Sequence, residues 1–165
     1  MSRSVDKSLR RAQLHMKAGE VTQAEEIYKQ VLSKFPKNKK AIQGYQNLQT
    51  PPKVAVDKLI GLFNNRRLKE TVIFGQALAA QFPNAPVLYE ILGATHLTLG
   101  NTSETIKYYR KLLHLKPEHT DANNNLGVIY YERGDFSQAA ESYQKVVEIE
   151  PNFADAHYNL GNAMK

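Results

Sequence analysis

The sequence contains no cysteine, so disulfide bonds and thiolate-bound metal sites are excluded. It also lacks any apolar run close to the roughly 18 residues that a membrane-spanning helix needs. The first residues, MSRSVDKSLRRAQ, contain no hydrophobic stretch of the kind that marks a secretory signal. These absences predict a chain without a membrane segment, and we expect it to be cytoplasmic.

Residue patterns typical of catalysis and metal binding are lacking as well. His114 and His119 lie on either side of Pro117, so they do not form a metal-binding pair on one turn of a helix, and there is no HExxH motif. The glycines do not form a phosphate-binding loop. We therefore predict that the protein is not an enzyme, and we predict neither a metal ion nor a cofactor.

A period of 34 residues is the strongest pattern in the sequence. Residues 120–153 contain a Leu-Gly pair, a second glycine, and a proline near the end of the period. The positions are Leu126, Gly127, Gly134 and Pro151, with Leu92, Gly93, Gly100 and Pro117 one period earlier and Leu160 and Gly161 one period later. A fixed period of this length is typical of helical repeat proteins, in which pairs of antiparallel helices stack on their neighbours.

Glycine and polar residues predict how the two helices of each pair are joined. Gly134 can adopt a positive φ and end a first helix. Asp135, followed by Gln138, matches a capping box for the second helix, and Asn101 with Glu104 matches the same motif one period earlier. We therefore expect the side chains of Asp135 and Asn101 to cap their helices.

These positions resemble the tetratricopeptide repeat, which has small residues at positions 8 and 20, apolar or aromatic residues at 7, 11, 24 and 27, and proline at 32. With Thr120 as position 1, the matching residues are Leu126, Gly127, Tyr130, Ala139, Tyr143, Val146 and Pro151. Asn123 replaces the tryptophan that is common at position 4, and we expect the small Ala139 to lie opposite Gly127. The resemblance implies an all-α fold, an α-solenoid of antiparallel helix pairs wound into a right-handed superhelix.

A break in the period divides the array. Residues 1–50 are expected to hold a first repeat, with Gly19 at its turn, and an extra helix; Pro51 and Pro52 then form a stiff joint. Residues 51–165 are expected to hold three repeats, at 51–85, 86–119 and 120–153, and the first helix of a further repeat at 154–165. This last helix has no partner, which predicts that more chain follows it or that it mediates self-association.

The repeat at 51–85 is degenerate. Leu59 stands where a small residue is expected, and Gly75 stands where an aromatic residue is expected. We therefore expect the two helices of this repeat to pack differently from those of the regular repeats.

Stacked repeats place their first helices on a concave face that suits extended ligands, so we predict a peptide-binding groove. Its candidate residues are Glu90, Asp121, Asn124, Asn125, Val128, Tyr131, Glu132, Asp155, Tyr158, Asn159 and Asn162. Asn125 and Asn159 are one period apart, and a side-chain amide can both donate to and accept from a peptide backbone. Alternatively, these amides satisfy neighbouring backbone groups.

The two asparagines resemble the asparagine ladder of protein O-linked N-acetylglucosamine transferases, which implies binding of extended chains. Ile91 departs from that pattern one repeat earlier. A carboxylate clamp for acidic C-terminal tails, as in co-chaperones, is not expected, because Glu90, Ala94 and Asp155 stand where basic or amide side chains are required.

The leading interpretation is a protein-interaction scaffold with a protein or peptide partner. A second is a substrate-presenting arm, because residues 59–165 are similar to N-terminal repeat regions of bacterial glycosyltransferases and repeat-containing sulfotransferases. A third is nucleic-acid binding by residues 1–70, whose 15 Lys and Arg against 6 Asp and Glu give a net charge of +9. This third interpretation is disfavoured, because the basic clusters lie at predicted helix ends and turns without base-stacking aromatics. The clusters are Lys34, Lys37, Lys39 and Lys40, and Arg66, Arg67 and Lys69.

Overall fold

A computed structural model describes residues 2–18 and 20–165, with side chains from Ser4 onward. Gly19, the predicted turn of the first repeat, lies outside these residues. The helices are α1 (Ser2–Lys17), α2 (Val21–Lys34), α3 (Lys39–Gln49), α4 (Lys53–Asn64), α5 (Leu68–Gln81), α6 (Pro86–Thr98), α7 (Thr102–Leu115), α8 (Thr120–Glu132), α9 (Phe136–Ile149) and α10 (Ala154–Ala163). The described residues contain no strand, and none of their helices has the length and apolar character needed to cross a membrane.

Two compact units make up the chain. Unit 1 comprises the residues up to Lys58 together with Ala77–Ala85, and unit 2 comprises Leu59–Gln76 and Pro86–Lys165. In unit 1, helices α1, α2 and α3 bury a shared apolar core, because each has one apolar face. The buried residues are Leu9, Ala12, Ala24, Ile27, Tyr28, Val31, Ala41 and Leu48.

Unit 2 contains the helix pairs α6/α7 and α8/α9, with α10 packed against α9. Its fully buried side chains include Leu88, Leu92, Leu112 and Val146. Leu112 and Val146 are one repeat period apart, and these buried side chains give each pair an apolar interior that its neighbour extends.

The contact between the helices of a regular pair is a glycine against a tyrosine ring. A Cβ at Gly127 would lie 2.6 Å from Tyr143 Cε1, and one at Gly93 would lie 2.4 Å from Tyr109 Cε1. Ala139, which was expected opposite Gly127, is fully buried on α9; its place against Gly127 stays a prediction. The Tyr143 ring, about one helical turn beyond Ala139, fills the space that a side chain at Gly127 would occupy.

In the degenerate repeat the large residue lies on the first helix and the glycine lies on the second, the reverse of the regular pairs. Leu59 is fully buried on α4, and its Cδ1 lies 3.3 Å from where a Cβ of Gly75 would be. Leu92 Cδ2 would lie 2.9 Å from the same Cβ. Glycine on the second helix thus accommodates leucine from the first, so close helix packing survives without the tyrosine.

The predicted caps at Asp135 and Asn101 are not formed by their side chains. Both residues occupy the N-cap position, but their ψ angles of 58° and 72° lie outside the extended region in which capping side chains reach back to the helix. Asp135 instead pairs with Arg133, with Nε and Oδ2 3.3 Å apart. The preceding glycines, Gly100 and Gly134, have φ of +72° and +78° and make the turns as predicted.

Candidate peptide-binding groove

The predicted groove residues lie on three helices of unit 2. Glu90 lies on α6, the residues from Asp121 to Glu132 lie on α8, and those from Asp155 to Asn162 lie on α10. Glu90 reaches the start of α8, where its Oε2 lies 3.5 Å from His119 Nε2. His119 is also the N-cap of α8, since its Nδ1 accepts a hydrogen bond of 3.3 Å from the Ala122 N–H. One histidine therefore links the first helices of two successive repeats.

Asn125 is held by the preceding repeat. Its Nδ2 donates a hydrogen bond of 3.2 Å to Tyr109 Oη, and the two residues are 16 positions apart in the sequence. Burial raises the pKa of the Tyr109 hydroxyl, so the group stays protonated and available to the amide at neutral pH. The bond uses one N–H of Asn125 and fixes the orientation of its half-buried carboxamide.

Asn159 is the counterpart of Asn125 one period later, and Tyr143 precedes it by the same 16 residues as Tyr109 precedes Asn125. In the described part of the chain its side chain forms no hydrogen bond with Tyr143. Asn159 is half-buried. The structure thus holds the first of the two predicted amides in place, whereas the second has no such bond among the described residues.

Asn124 and Asn123 have different environments from their neighbour. The Oδ1 of Asn124 is buried and has no hydrogen-bond partner among the described residues. Asn123 is buried, and its Nδ2 donates to the carbonyls of Pro117 at 3.0 Å and His119 at 3.1 Å. Asn123 thus anchors the start of α8 where the repeat commonly has tryptophan.

Apolar side chains remain exposed on the same helices. Val128 is 37% exposed, Tyr131 is 40% exposed and Tyr158 is 72% exposed. The Tyr131 ring packs edge-on against Phe136, with centroids 5.3 Å apart, and Phe136 is itself half-exposed. Phe136 is not among the residues predicted from the sequence; its signal is an apolar residue directly after the N-cap, where a helix usually presents polar groups.

The charged members of the predicted set are all acidic. Glu90, Asp121, Glu132 and Asp155 are exposed, and the set includes no lysine or arginine. The remaining members, Asn162 among them, are neutral. A ligand that meets these side chains therefore gains from positive charge and is penalised for negative charge.

Comparisons with known proteins agree with the repeat pattern. Tetratricopeptide-repeat family models match residues 8–38 and 87–119, and a third, described as a TPR repeat, matches residues 129–165. These matches confirm that the chain contains tetratricopeptide repeats. No curated protein matches the sequence at a significant level.

Several solved structures are similar to this chain. A crystal structure of MamA is 20% identical over 99% of this chain and 82% of that one, with a TM-score of 0.59. The first TPR of Spaghetti (RPAP3), bound to the HSP90 peptide SRMEEVD, is 20% identical over 67% of this chain and 88% of that one, with a TM-score of 0.60. A tetratricopeptide repeat protein from Parabacteroides merdae is 19% identical over 99% of this chain and 61% of that one, also with a TM-score of 0.60. These likenesses confirm the all-α solenoid fold.

Proposed function

We propose that this tetratricopeptide-repeat chain is a non-enzymatic scaffold that binds an extended segment of a partner protein along α6, α8 and α10 of unit 2. The observation that carries the proposal is the Asn125–Tyr109 hydrogen bond of 3.2 Å. It holds a polar group at a helix face that also presents exposed apolar side chains. A held amide costs less entropy to use in binding than a mobile one.

The Asn125 carboxamide has two N–H donors and one carbonyl. The bond to Tyr109 uses one donor, which leaves the second N–H and the carbonyl. An extended backbone offers one C=O and one N–H at each residue, so the amide can pair with a ligand residue of any type. Asn159 repeats this chemistry one period later.

Apolar contacts contribute to the free energy of binding in addition to the hydrogen bonds of the amides. Val128, Tyr131 and Tyr158 are exposed by more than a third of their surface, and a ligand that covers them removes that surface from water. Tyrosine contributes rigid contact area and is common at the energetic centre of interfaces. The partner segment should therefore carry apolar side chains among neutral or basic ones.

The acidic side chains make acidic tails poor ligands for this groove. Glu90 and Asp155 occupy two of the places at which a carboxylate clamp needs positive charge or an amide. The RPAP3 domain was solved with a peptide that contains two glutamates and an aspartate. We expect the groove of unit 2 to disfavour such a peptide, because like charges repel across an interface.

Binding to an array of extended peptides tests the proposal. The wild-type chain is compared with the double variant Asn125→Ala, Asn159→Ala and with the control Asn84→Ala, Asn152→Ala. The control removes two exposed asparagines that each follow a proline in a turn. We expect the first variant to lose binding with unchanged helicity while the control retains it. Equal binding by all three proteins would overturn the proposal.

Presentation of substrates to an attached enzyme is a further prediction from the sequence resemblance, and it requires the same groove. A chain of this kind would bind the segments that the enzyme modifies. The peptide array addresses it as well, since a substrate-presenting arm must show the same dependence on Asn125.

A further inference from the structure

Unit 1 has a groove of its own, and its chemistry is opposite in charge to that of unit 2. A cavity of about 760 Å³ lies among α1, α2 and α3. Its lining includes Lys17 of α1 and Lys39 and Lys40 of α3, and no acidic residue is among the described residues that line it. We propose that this basic groove binds an acidic, extended peptide segment.

Gly44 lines this groove and stands where the last two repeats have Asn125 and Asn159. Gly44 follows Tyr28 by the same 16 residues that separate Asn125 from Tyr109. A Cβ at Gly44 would lie 2.3 Å from Tyr28 Cε1 and 2.6 Å from its Oη. The Tyr28 ring therefore occupies the space that a side chain at position 44 would fill. The surface of α3 at Gly44 is left open to a ligand.

Amide side chains surround the lysines. Gln13, Gln43 and Asn47 line the same cavity, and each is exposed. Such amides pair with the N–H and C=O groups of an extended backbone. An acidic peptide requires both kinds of group, because amides pair with its backbone and lysine ammonium groups pair with its carboxylates.

A second, adjoining cavity extends the groove. It measures about 260 Å³ and shares Gln13 and Lys40 with the first. Arg10 adds a further positive charge, and Asp6 is the acidic residue of its lining. The two cavities together form a groove with Lys17, Lys39, Lys40 and Arg10 against one carboxylate, which accommodates several residues of an extended chain.

The placement of Lys39 and Lys40 does not serve the stability of α3. They are the first two residues of the helix, where the helix dipole disfavours positive charge. Neither lysine forms a salt bridge among the described residues, and the N-terminus is capped instead by Asn38, whose Oδ1 accepts from Ala41 N–H at 3.0 Å. An anionic ligand would relieve this local charge, which supports a binding role.

Nucleic acid is the alternative anionic ligand, and the lining argues against it. Single-stranded nucleic acid binds on exposed aromatic rings that stack with its bases. The aromatic residue of this groove, Tyr28, is only 3% exposed, so no ring is available for stacking. The backbone-pairing amides favour a peptide.

Fluorescence anisotropy with a labelled peptide of alternating glutamate and serine tests the proposal. The wild type is compared with Lys17→Gln, Lys40→Gln and with the control Lys34→Gln, Lys37→Gln, which removes the same charge from exposed lysines outside the groove. Exposed charge pairs each contribute modestly, so we expect the groove variant to bind about five- to tenfold more weakly. The control should bind as the wild type does, and a matched peptide of glutamine and serine should bind to none of them.

Three outcomes would overturn the proposal. The first is absence of binding to the acidic peptide, and the second is an equal loss in the groove and control variants. The third is tighter, lysine-dependent binding of random single-stranded DNA, which would assign the groove to nucleic acid. Because Lys17 and Lys40 belong to unit 1, failure here leaves the proposal for unit 2 intact. Misfolding of the groove variant would show as lost helicity by circular dichroism, which is compared with that of the wild type and the control.

Discussion

The side-chain amide of Asn125 donates to the hydroxyl of Tyr109 across the boundary between two successive repeats. The tyrosine thereby has two functions. Its ring packs against Gly93 within its own repeat, and its hydroxyl positions a groove residue of the next repeat. The same residue thus connects the packing of the solenoid to the chemistry of its binding face.

Removal of the Tyr109 hydroxyl should weaken peptide binding without unfolding the chain. In Tyr109→Phe the ring still fills the space at Gly93 while Asn125 loses its acceptor. We expect a loss of about 0.5–1.5 kcal/mol in the free energy of unfolding, measured by urea denaturation, and weaker binding on the peptide array.

Tyr143→Phe is the matched control for that variant. The Tyr143 ring packs against Gly127 in the same way, but its hydroxyl forms no bond to Asn159 within the residues described. Peptide binding should be closer to that of the wild type. Equal effects of the two variants would contradict a positioning role for the Tyr109 hydroxyl.

Addition of a methyl group at Gly127 should destabilise the protein. In Gly127→Ala the new Cβ would lie 2.6 Å from a ring carbon of Tyr143, which is 2% exposed and has little room to move. We expect a loss of about 1–3 kcal/mol, measured by chemical denaturation.

Gly161→Ala is the control, because Gly161 is the counterpart of Gly127 on α10 and a Cβ there meets no atom within 4 Å. The alanine should be neutral or stabilise by up to about 1 kcal/mol through helix propensity. A stabilising effect at both glycines would show that the Gly127–Tyr143 contact does not constrain the packing.

Stability should depend on pH through His96. Its ring is buried and stacked on Tyr108 at a centroid distance of 5.3 Å. Burial lowers the pKa of His96, opposed by the nearby Glu104 and reinforced by Lys107. Asn101 Nδ2 lies 3.4 Å from Nδ1, so the neutral ring carries its proton on the buried Nε2, which has no partner in the described chain.

The direction of the pH dependence of stability follows from this neutral, buried ring. The unfolded chain binds a proton at His96 more readily than the folded chain, so stability is greatest above the unfolded pKa of about 6.5 and falls as pH drops below it. Thermal unfolding between neutral and mildly acidic pH should show the loss in the wild type and a smaller loss in His96→Phe. His114→Gln, at an exposed histidine, should keep the wild-type pH dependence; an identical effect of both variants would contradict the assignment.

The two proposed grooves should respond to different substitutions. Binding of neutral or basic extended peptides should depend on Asn125 and not on Lys17 and Lys40, and binding of the acidic peptide should show the reverse dependence. Titrations of both peptide classes with both variants measure this. A loss of both activities in either variant would indicate damage to the fold.

Self-association through α10 stays a prediction. Tyr158 and Met164 on or next to this helix are each more than 70% exposed, and a second copy would cover them. Sedimentation equilibrium over a range of concentrations measures it, and Tyr158→Ser should shift the equilibrium toward monomer. A wild-type chain that stays monomeric at the highest concentration would exclude self-association.

Sequence spacing predicted the helical repeat well, because glycine and proline recur where helices must end or approach closely. It did not predict the close contact of the Tyr143 ring with Gly127, since spacing gives the faces of helices and not their relative rotation. The capping boxes at Asp135 and Asn101 failed because a side-chain cap also requires an extended backbone at the N-cap.

The candidate groove was only partly visible in the sequence. The period identified Asn125 and Asn159, but the bond to Tyr109 depends on how successive repeats stack. The groove of unit 1 was missed because the period breaks after Pro36. The 16-residue spacing from tyrosine to the following groove position, shared by Tyr28 and Gly44, is the signal that reveals it.

The most direct test of the central claim is the NMR signal of the Asn125 side-chain NH₂ group during titration with a peptide that binds the wild-type chain. The resonance is assigned by its disappearance in Asn125→Ala. We predict that it shifts on binding, as does that of Asn159, while the signals of Asn84 and Asn152 do not. Saturable binding that leaves the Asn125 amide unchanged would contradict the account, because the partner would then contact another surface.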